Sequence, residues 1–239
     1  MIPIGLSLTV IGVESRWWLE SAQQAEAAGF SGAWAWDHFV SQGPRKTDAV
    51  LECWTTLAAA AAVTSRIRIG SFVTNVMNRH PALLARMVAT IWEQSGGRVE
   101  VGLGVGGYAP EMAAYGIEFP PPAERSARLA DAAAVMRALW TGGPVDHDGP
   151  FFQLREAWAR PALEPPPRII VGGEKPAGAR LAAHVGDGWT TRAADYERLL
   201  PIHLEALAAA GRSRAEIAHL VAVELDRDVP LAEQPLVVG

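Results

Sequence analysis

The sequence predicts an α/β fold: a TIM-type (β/α)8 barrel with a shortened C-terminal end and an excursion hairpin near 145–154. Three observations predict it. Strand-like and helix-like segments alternate about seven times along the 239 residues. The stretch Arg66–Glu111 reads as strand, helix, strand, the unit that makes two strands parallel neighbours with a right-handed crossover. Both strands end in unusual sequences, Ser71-Phe-Val-Thr-Asn75 and Gly104-Val-Gly-Gly-Tyr108, which a parallel pair brings to one sheet edge. In parallel α/β folds that edge binds ligands.

The elements follow in order. Ile2–Leu8 is the first strand, with Pro3 tolerated at its start. Ser15 can cap a helix running to Ala28, stopped by Gly29, with Trp18, Ala22 and Ala25 on its inner face. Gly32–Trp36 is the second strand, closed by Asp37-His38, and a polar loop with Gly43 and Pro44 follows. Glu52–Val63 is an alanine-dense helix. Arg66–Thr74 alternates and is β-branched, hence a third strand. Pro81 suits a first helical position, and Leu83, Leu84, Met87, Val88, Ile91 and Trp92 recur at helical spacing before Ser95-Gly96-Gly97 ends the helix. Val99–Val105 is the fourth strand.

A short helix is expected near Pro110–Tyr115, then a break at Phe119-Pro-Pro-Pro122. A long helix follows from Ala123 to Trp140, with Leu129, Ala132, Ala133, Met136 and Leu139 on one face. Val145–Leu154 carries the turn dipeptide Asp148-Gly149 and reads as the excursion hairpin, with Asp146-His147-Asp148 a solvated tip. After an extended, proline-rich Pro161–Pro167 come a fifth strand (Arg168–Val171), a helix (Pro176–Val185), a sixth strand (Gly188–Thr191) and a helix (Ala194–Ala210) that Pro201 should kink or split. Ser213 and Glu216 have capping-box spacing, and Ile217–Asp226 is the seventh strand. Pro235–Val238 remains to close the ring, either as a stub strand or with closure by another chain.

Composition bounds the function. Hydrophobic residues make up 49% and charged residues 20%, as in a globular chain, read here as a single domain over 1–239. A formal charge of −5 gives no electrostatic case for nucleic acid. One cysteine, Cys53, excludes an intramolecular disulfide framework and a cysteine-rich metal site. No apolar run reaches the roughly 18–20 residues of a membrane span and the N-terminus lacks a signal pattern, so a cytoplasmic setting is expected. The histidines are scattered, and no metal constellation is expected.

Three constellations could carry chemistry. Gly102-Leu-Gly-Val-Gly-Gly107 satisfies GxGxxG, but it follows the fourth strand and Pro110 delays any helix, so a dinucleotide fold is disfavoured. The run either lets a ligand ring or phosphate approach the backbone or is a glycine-rich turn. Asp37-His38 at a barrel strand's C-terminal end either points an imidazole into the mouth for acid–base work or forms a rim pair. Gly172-Gly173-Glu-Lys175 before a helix is either an anion seat or a tight turn.

Together the segments 25–38, 64–111, 124–154 and 166–191 resemble the luciferase-like monooxygenase superfamily, most of all its coenzyme F420-dependent oxidoreductase branch. The resemblance implies hydride transfer between the deazaflavin coenzyme F420 and a small organic substrate at the C-terminal mouth of the barrel. It implies His38 as the catalytic histidine, with Asp37 its motif neighbour. It implies a cis non-proline peptide behind the ring at Phe72-Val73, with Val73-Thr74 the alternative. Gly104, Gly106, Gly107 and Tyr108 match the loop passing the cofactor's side chain, and Gly172 and Gly173 its second phosphate-side turn. Partners implied are a small-molecule substrate and a second copy of the chain, since family members often dimerise. Alternatives are an FMN-dependent, reductase-fed monooxygenase and a non-catalytic cofactor-binding barrel. Members that oxidise a sugar phosphate carry a glutamate where this chain has Gly107, and Glu111 lies four residues on, so that substrate is not expected.

Overall fold

The computed structural model describes residues 2–41 and 48–224. The expected Gly43-Pro44 loop, the Asp226 end of the seventh strand and the segment Pro235–Val238 lie outside the described residues. The chain divides into two compact units, Met1–Ile169 and Ile170–Gly239.

In the first unit, β1 (Gly5–Leu8), α1 (Ser15–Ala27), β2 (Gly32–Ala35), α2 (Cys53–Val63), β3 (Arg68–Ser71), β4 (Thr74–Asn75), α3 (Pro81–Ser95), β5 (Val99–Gly104), α4 (Ala109–Ala114) and α5 (Pro122–Trp140) follow in order. The strands β1, β2, β3 and β5 lie side by side and parallel, with Leu8 opposite Ala35, Ala35 opposite Ser71 and Ile69 opposite Val99. The expected third strand is broken after Ser71, and its continuation β4 pairs Thr74 with Leu103 and Asn75 with Gly104. The Phe72–Val73 peptide, at the break, is cis.

Local sequence explains the boundaries. Ser15 does not cap α1; Glu14 occupies the cap position without a side-chain bond, and the helix starts at Ser15 itself. Glu52 is the cap of α2 rather than its first residue, accepting from the Trp54 and Thr55 amides. Pro81 opens α3, and Gly96, left-handed at φ 64, closes it. The expected inner faces are buried: Trp18, Ala22 and Ala25 on α1, and Leu129, Ala132, Ala133, Met136 and Leu139 on α5. Cys53 is buried, with its thiol facing the Ala35 carbonyl. Trp34 lies flat over Gly5 and Gly32, where any Cβ would collide with its ring.

The excursion is a two-stranded antiparallel ribbon, β6 (Pro144–Asp148) and β7 (Gln153–Trp158), longer at both ends than expected. Asp148-Gly149 is not a two-residue turn; Gly149 donates to the Phe152 carbonyl across a four-residue connection. His147 is not a solvated tip: its Nε2 lies 2.6 Å from the buried Asp131, whose other oxygen accepts from the Phe151 and Phe152 amides.

In the second unit, β8 (Ile169–Gly172, all but its first residue), α6 (Pro176–Val185), β9 (Gly188–Arg192), α7 (Ala193–Ala209), a 3-10 turn (Arg214–Glu216) and β10 (Ala218–Ala222) again alternate. The strands are parallel, with Ile170 and Ala218 on either side of Gly188. Pro201 does not split α7. The Ser213–Glu216 capping box forms as expected. Among the described residues, no helix is long and apolar enough to cross a membrane.

Candidate functional site

The C-terminal ends of β2, β3 and β5 converge in the first unit. Strand pairing brings Asp37 and His38 beside the Phe72–Val73 peptide: Ala35 faces Ser71, and the Phe72 amide donates to the Ala35 carbonyl at 2.8 Å. Pairing of β4 with β5 brings the glycine run to the same edge.

Asp37 is 3% exposed and fully engaged. Arg79 donates to both of its oxygens at 2.8 Å, and the Asn75 amide and Asn78 side chain donate to Oδ2. Arg79 also grips Glu52. Burial alone would lower the Arg79 guanidinium, but the bonds and charges of Asp37 and Glu52 outweigh it and raise it. Glu52 is likewise held below the usual carboxylate range against its burial, by the Thr55 amide and hydroxyl and by Arg79. These contacts tie the loop after β2 to the loop after β4.

Thr74 is wholly buried and belongs to a second chain of bonds: Trp54 Nε1 donates to Thr74 Oγ1, Thr74 to Ser71 Oγ, and Ser71 to the Gly102 carbonyl. Val73 fills the space beside two glycines. A Cβ on Gly102 would meet the Ser71 carbonyl and Val73 Cγ1, and one on Gly104 would meet Val73 Cγ2 at 2.6 Å. Gly106, at φ 72, presses on the Asn75 side chain. Gly107 differs: a Cβ there would have no neighbour within 4 Å. Arg125 of α5 donates to the Val105 and Gly106 carbonyls, its guanidinium 3.8 Å from the centre of the Phe119 ring. Thus Asp37, Thr74, Gly104 and Gly106, expected as cofactor contacts, are used by the chain to shape its own edge. Phe72, Val73, Gly107 and Tyr108 retain exposed surface.

His38 is one-third exposed, and its Nδ1 lies 2.9 Å from Oε2 of Glu111, which is 2% exposed. Glu111 sits in the first turn of α4. That helix is docked at two further points: Tyr115 donates to the Phe39 carbonyl with the two rings 5.0 Å apart, and Asn75 donates to Met112 Sδ. Sequence reasoning missed Glu111 as the histidine's partner, together with Arg79 and Arg125. The one available signal was a lone acid in a small apolar helix following the glycine run.

Gly172 and Gly173 belong to the second unit. Gly173 packs directly on Gly178 in the first turn of α6, and its amide donates to the Thr190 carbonyl. Lys175 occupies the cap position of α6 without a side-chain bond.

The model of the luciferase-like monooxygenase family matches residues 13–225. This chain belongs to that family. It is 37% identical over 196 residues to an F420-dependent hydroxymycolic acid dehydrogenase of Mycobacterium tuberculosis, covering 80% of this chain and 53% of the relative. It is 32% identical over 214 residues to an F420-dependent glucose-6-phosphate dehydrogenase of Kineococcus radiotolerans, covering 87% and 63%. Among solved structures, an F420-dependent secondary alcohol dehydrogenase in complex with an F420-acetone adduct matches with a TM-score of 0.84 at 28% identity, covering 92% of this chain and 68% of that one. The chain therefore spans about three fifths of the length of the curated relatives it matches. The structural likeness bears out the α/β fold class, that of the TIM-barrel luciferase-like enzymes.

Proposed function

We propose that this chain is an oxidoreductase that transfers a hydride between coenzyme F420 and a small organic substrate, with His38 moving the proton. The observation that carries the reading is His38, one-third exposed at the strand edge where Phe72, Val73 and the open Gly107 also lie. F420-dependent relatives and an F420-bound structural neighbour support the choice of cofactor over FMN.

The residues fit such a group. F420, when bound, supplies the two-electron acceptor or donor; the protein supplies orientation and a proton path. Phe72 and Val73 would back the ring, and Gly107 with Tyr108 would admit its side chain where no Cβ intrudes. His38 would take the hydroxyl proton as an alcohol carbon gives up its hydride, or return it in reduction. Asp37, Thr74, Gly104 and Gly106 would act indirectly, by holding this edge in shape. Because Gly107 leaves no carboxylate at its position, the proposed substrate is a small alcohol or carbonyl compound rather than a sugar phosphate. A cytoplasmic setting and a homodimer complete the proposal.

The test is equilibrium binding of the 239-residue chain to F420 and to FMN, read by ring fluorescence, followed by turnover with simple secondary alcohols. Preferential F420 binding is expected. Preference for FMN would favour the monooxygenase alternative, and binding of neither would sink the enzymatic reading. With F420, His38→Ala should lower turnover more than about tenfold with unchanged thermal unfolding; unchanged turnover would remove His38 from the mechanism.

A further inference from the structure

The geometry points to Glu111 as the positioning residue for His38: a buried carboxylate that fixes the tautomer of the ring and stabilises its charge while a proton is on it. The inference rests on the proposed role of His38 for its consequence in catalysis, but not for its structural part.

A carboxylate in its ionised form only accepts hydrogen bonds. An ionised Glu111, with Oε2 at 2.9 Å, would place the hydrogen between the pair on Nδ1 of His38. Nε2 is then the nitrogen that takes up or releases a proton during turnover. Glu111 is 2% exposed whereas His38 is one-third exposed. A carboxylate withdrawn from water interacts more strongly with an imidazolium than an exposed one, because less solvent screens the pair. His38 is a hydrogen-bonding partner of that carboxylate. A buried carboxylate is costly unless paired, so its placement here is accounted for by the ring it holds.

The contact is not simply what keeps α4 in place. The Phe39–Tyr115 ring contact, the Tyr115 hydrogen bond and the Asn75–Met112 contact dock the same helix independently. Glu111→Gln, which keeps the shape and removes the charge, should therefore fold. A glutamine can present either its oxygen or its amide hydrogens, so it no longer dictates the tautomer.

Ring-nitrogen NMR of the uniformly labelled chain, with His38 assigned by the resonances lost in His38→Ala, tests the structural part without cofactor. The wild-type ring should carry its hydrogen on Nδ1, and the Nε2–H form should grow in Glu111→Gln. A wild-type ring protonated on Nε2, or a tautomer unmoved by Glu111→Gln, would overturn the inference. The wild-type measurement decides even if the variant does not fold. With F420 bound, Glu111→Gln should lower kcat by about 10- to 100-fold while KM for F420 stays within about twofold. In the His38→Ala background the same change should cost nothing further, because Glu111 acts through the ring. An equal loss in both backgrounds would give Glu111 an independent role and reject the pairing. Should the wild-type chain fail to bind F420, the oxidoreductase reading falls while the tautomer measurement still judges the pair.

Discussion

Two buried polar clusters, one in each unit, are built on opposite plans. At the strand edge of the first unit, Asp37 receives four hydrogen bonds, Arg79 is shared between two carboxylates, and Val73 fills the space beside Gly102 and Gly104. In the second unit, the Trp189 ring is stacked on His203 at 4.5 Å and meets His219 edge-on at 5.3 Å. There Nε2 of His203 and of His219 are buried, without a hydrogen-bond partner among the described residues. The first cluster is charged and saturated; the second holds its imidazoles neutral. A saturated charged cluster fixes backbone geometry and suffers most when one member is removed. A neutral, under-bonded cluster tolerates the same loss better but is exposed to protonation.

Arg79→Met gives the largest expected effect. It leaves Asp37 buried without its cation, and breaking such a pair costs about 3–5 kcal/mol. Thermal unfolding should show a drop of at least several degrees, with the edge loops losing amide-exchange protection first. A change of under about 1 kcal/mol would mean that the Asn75 and Asn78 bonds alone satisfy Asp37, and the contrast between the clusters would lose its basis.

The glycine run allows the same comparison within one motif. Gly102→Ala drives a methyl into the Ser71 carbonyl, a backbone atom fixed in β3, and should cost about 2–3 kcal/mol as overpacking. Gly107→Ala meets nothing and should stay within about 0.5 kcal/mol in chemical unfolding. Equal losses at the two positions would show that the space beside Gly107 is not open.

These particulars set what could be read from sequence. Helix and strand order was legible because apolar periodicity is a local property: the inner faces of α1 and α5 lie where the spacing put them. The break at Phe72–Val73 entered only through the family resemblance; the β-branched pattern by itself read straight through it. The partners of the edge residues were not legible. Arg79 reaches Asp37 across 42 positions and Glu111 reaches His38 across 73, and such pairings depend on loop paths that no spacing rule encodes. The glycine run was visible, yet its division into packed positions and one open position follows from where Val73 and Asn75 fall. The anion-seat and tight-turn readings of Gly172-Gly173 shared one signature, and the close packing of Gly173 on Gly178 accounts for that glycine without a ligand.

The second cluster's effect is pH-dependent, and its sign follows from the histidines. Burial, with the positive charge of Arg214 and the neighbouring His203, lowers His219 from the ordinary 6.5 to about 4. Burial lowers His203 as well, with the Ala179 carbonyl opposing and Arg214 and Arg212 assisting. At neutral pH these rings are neutral in both the folded and the unfolded chain, and the cluster contributes no pH dependence. As pH falls below about 6.5 the unfolded chain binds protons that the folded chain refuses, so stability declines until the folded rings titrate, near 4 for His219. For His219 the loss should amount to about 1–2 kcal/mol, after allowance for solvent screening of a partly exposed ring. His219→Gln keeps a polar group against the Tyr196 hydroxyl, 2.8 Å from Nδ1 in the wild type, but does not titrate. The fall in Tm between about pH 7 and pH 5 should therefore be smaller in the variant than in the wild type. Identical falls would place the acid sensitivity elsewhere than in the His219 ring.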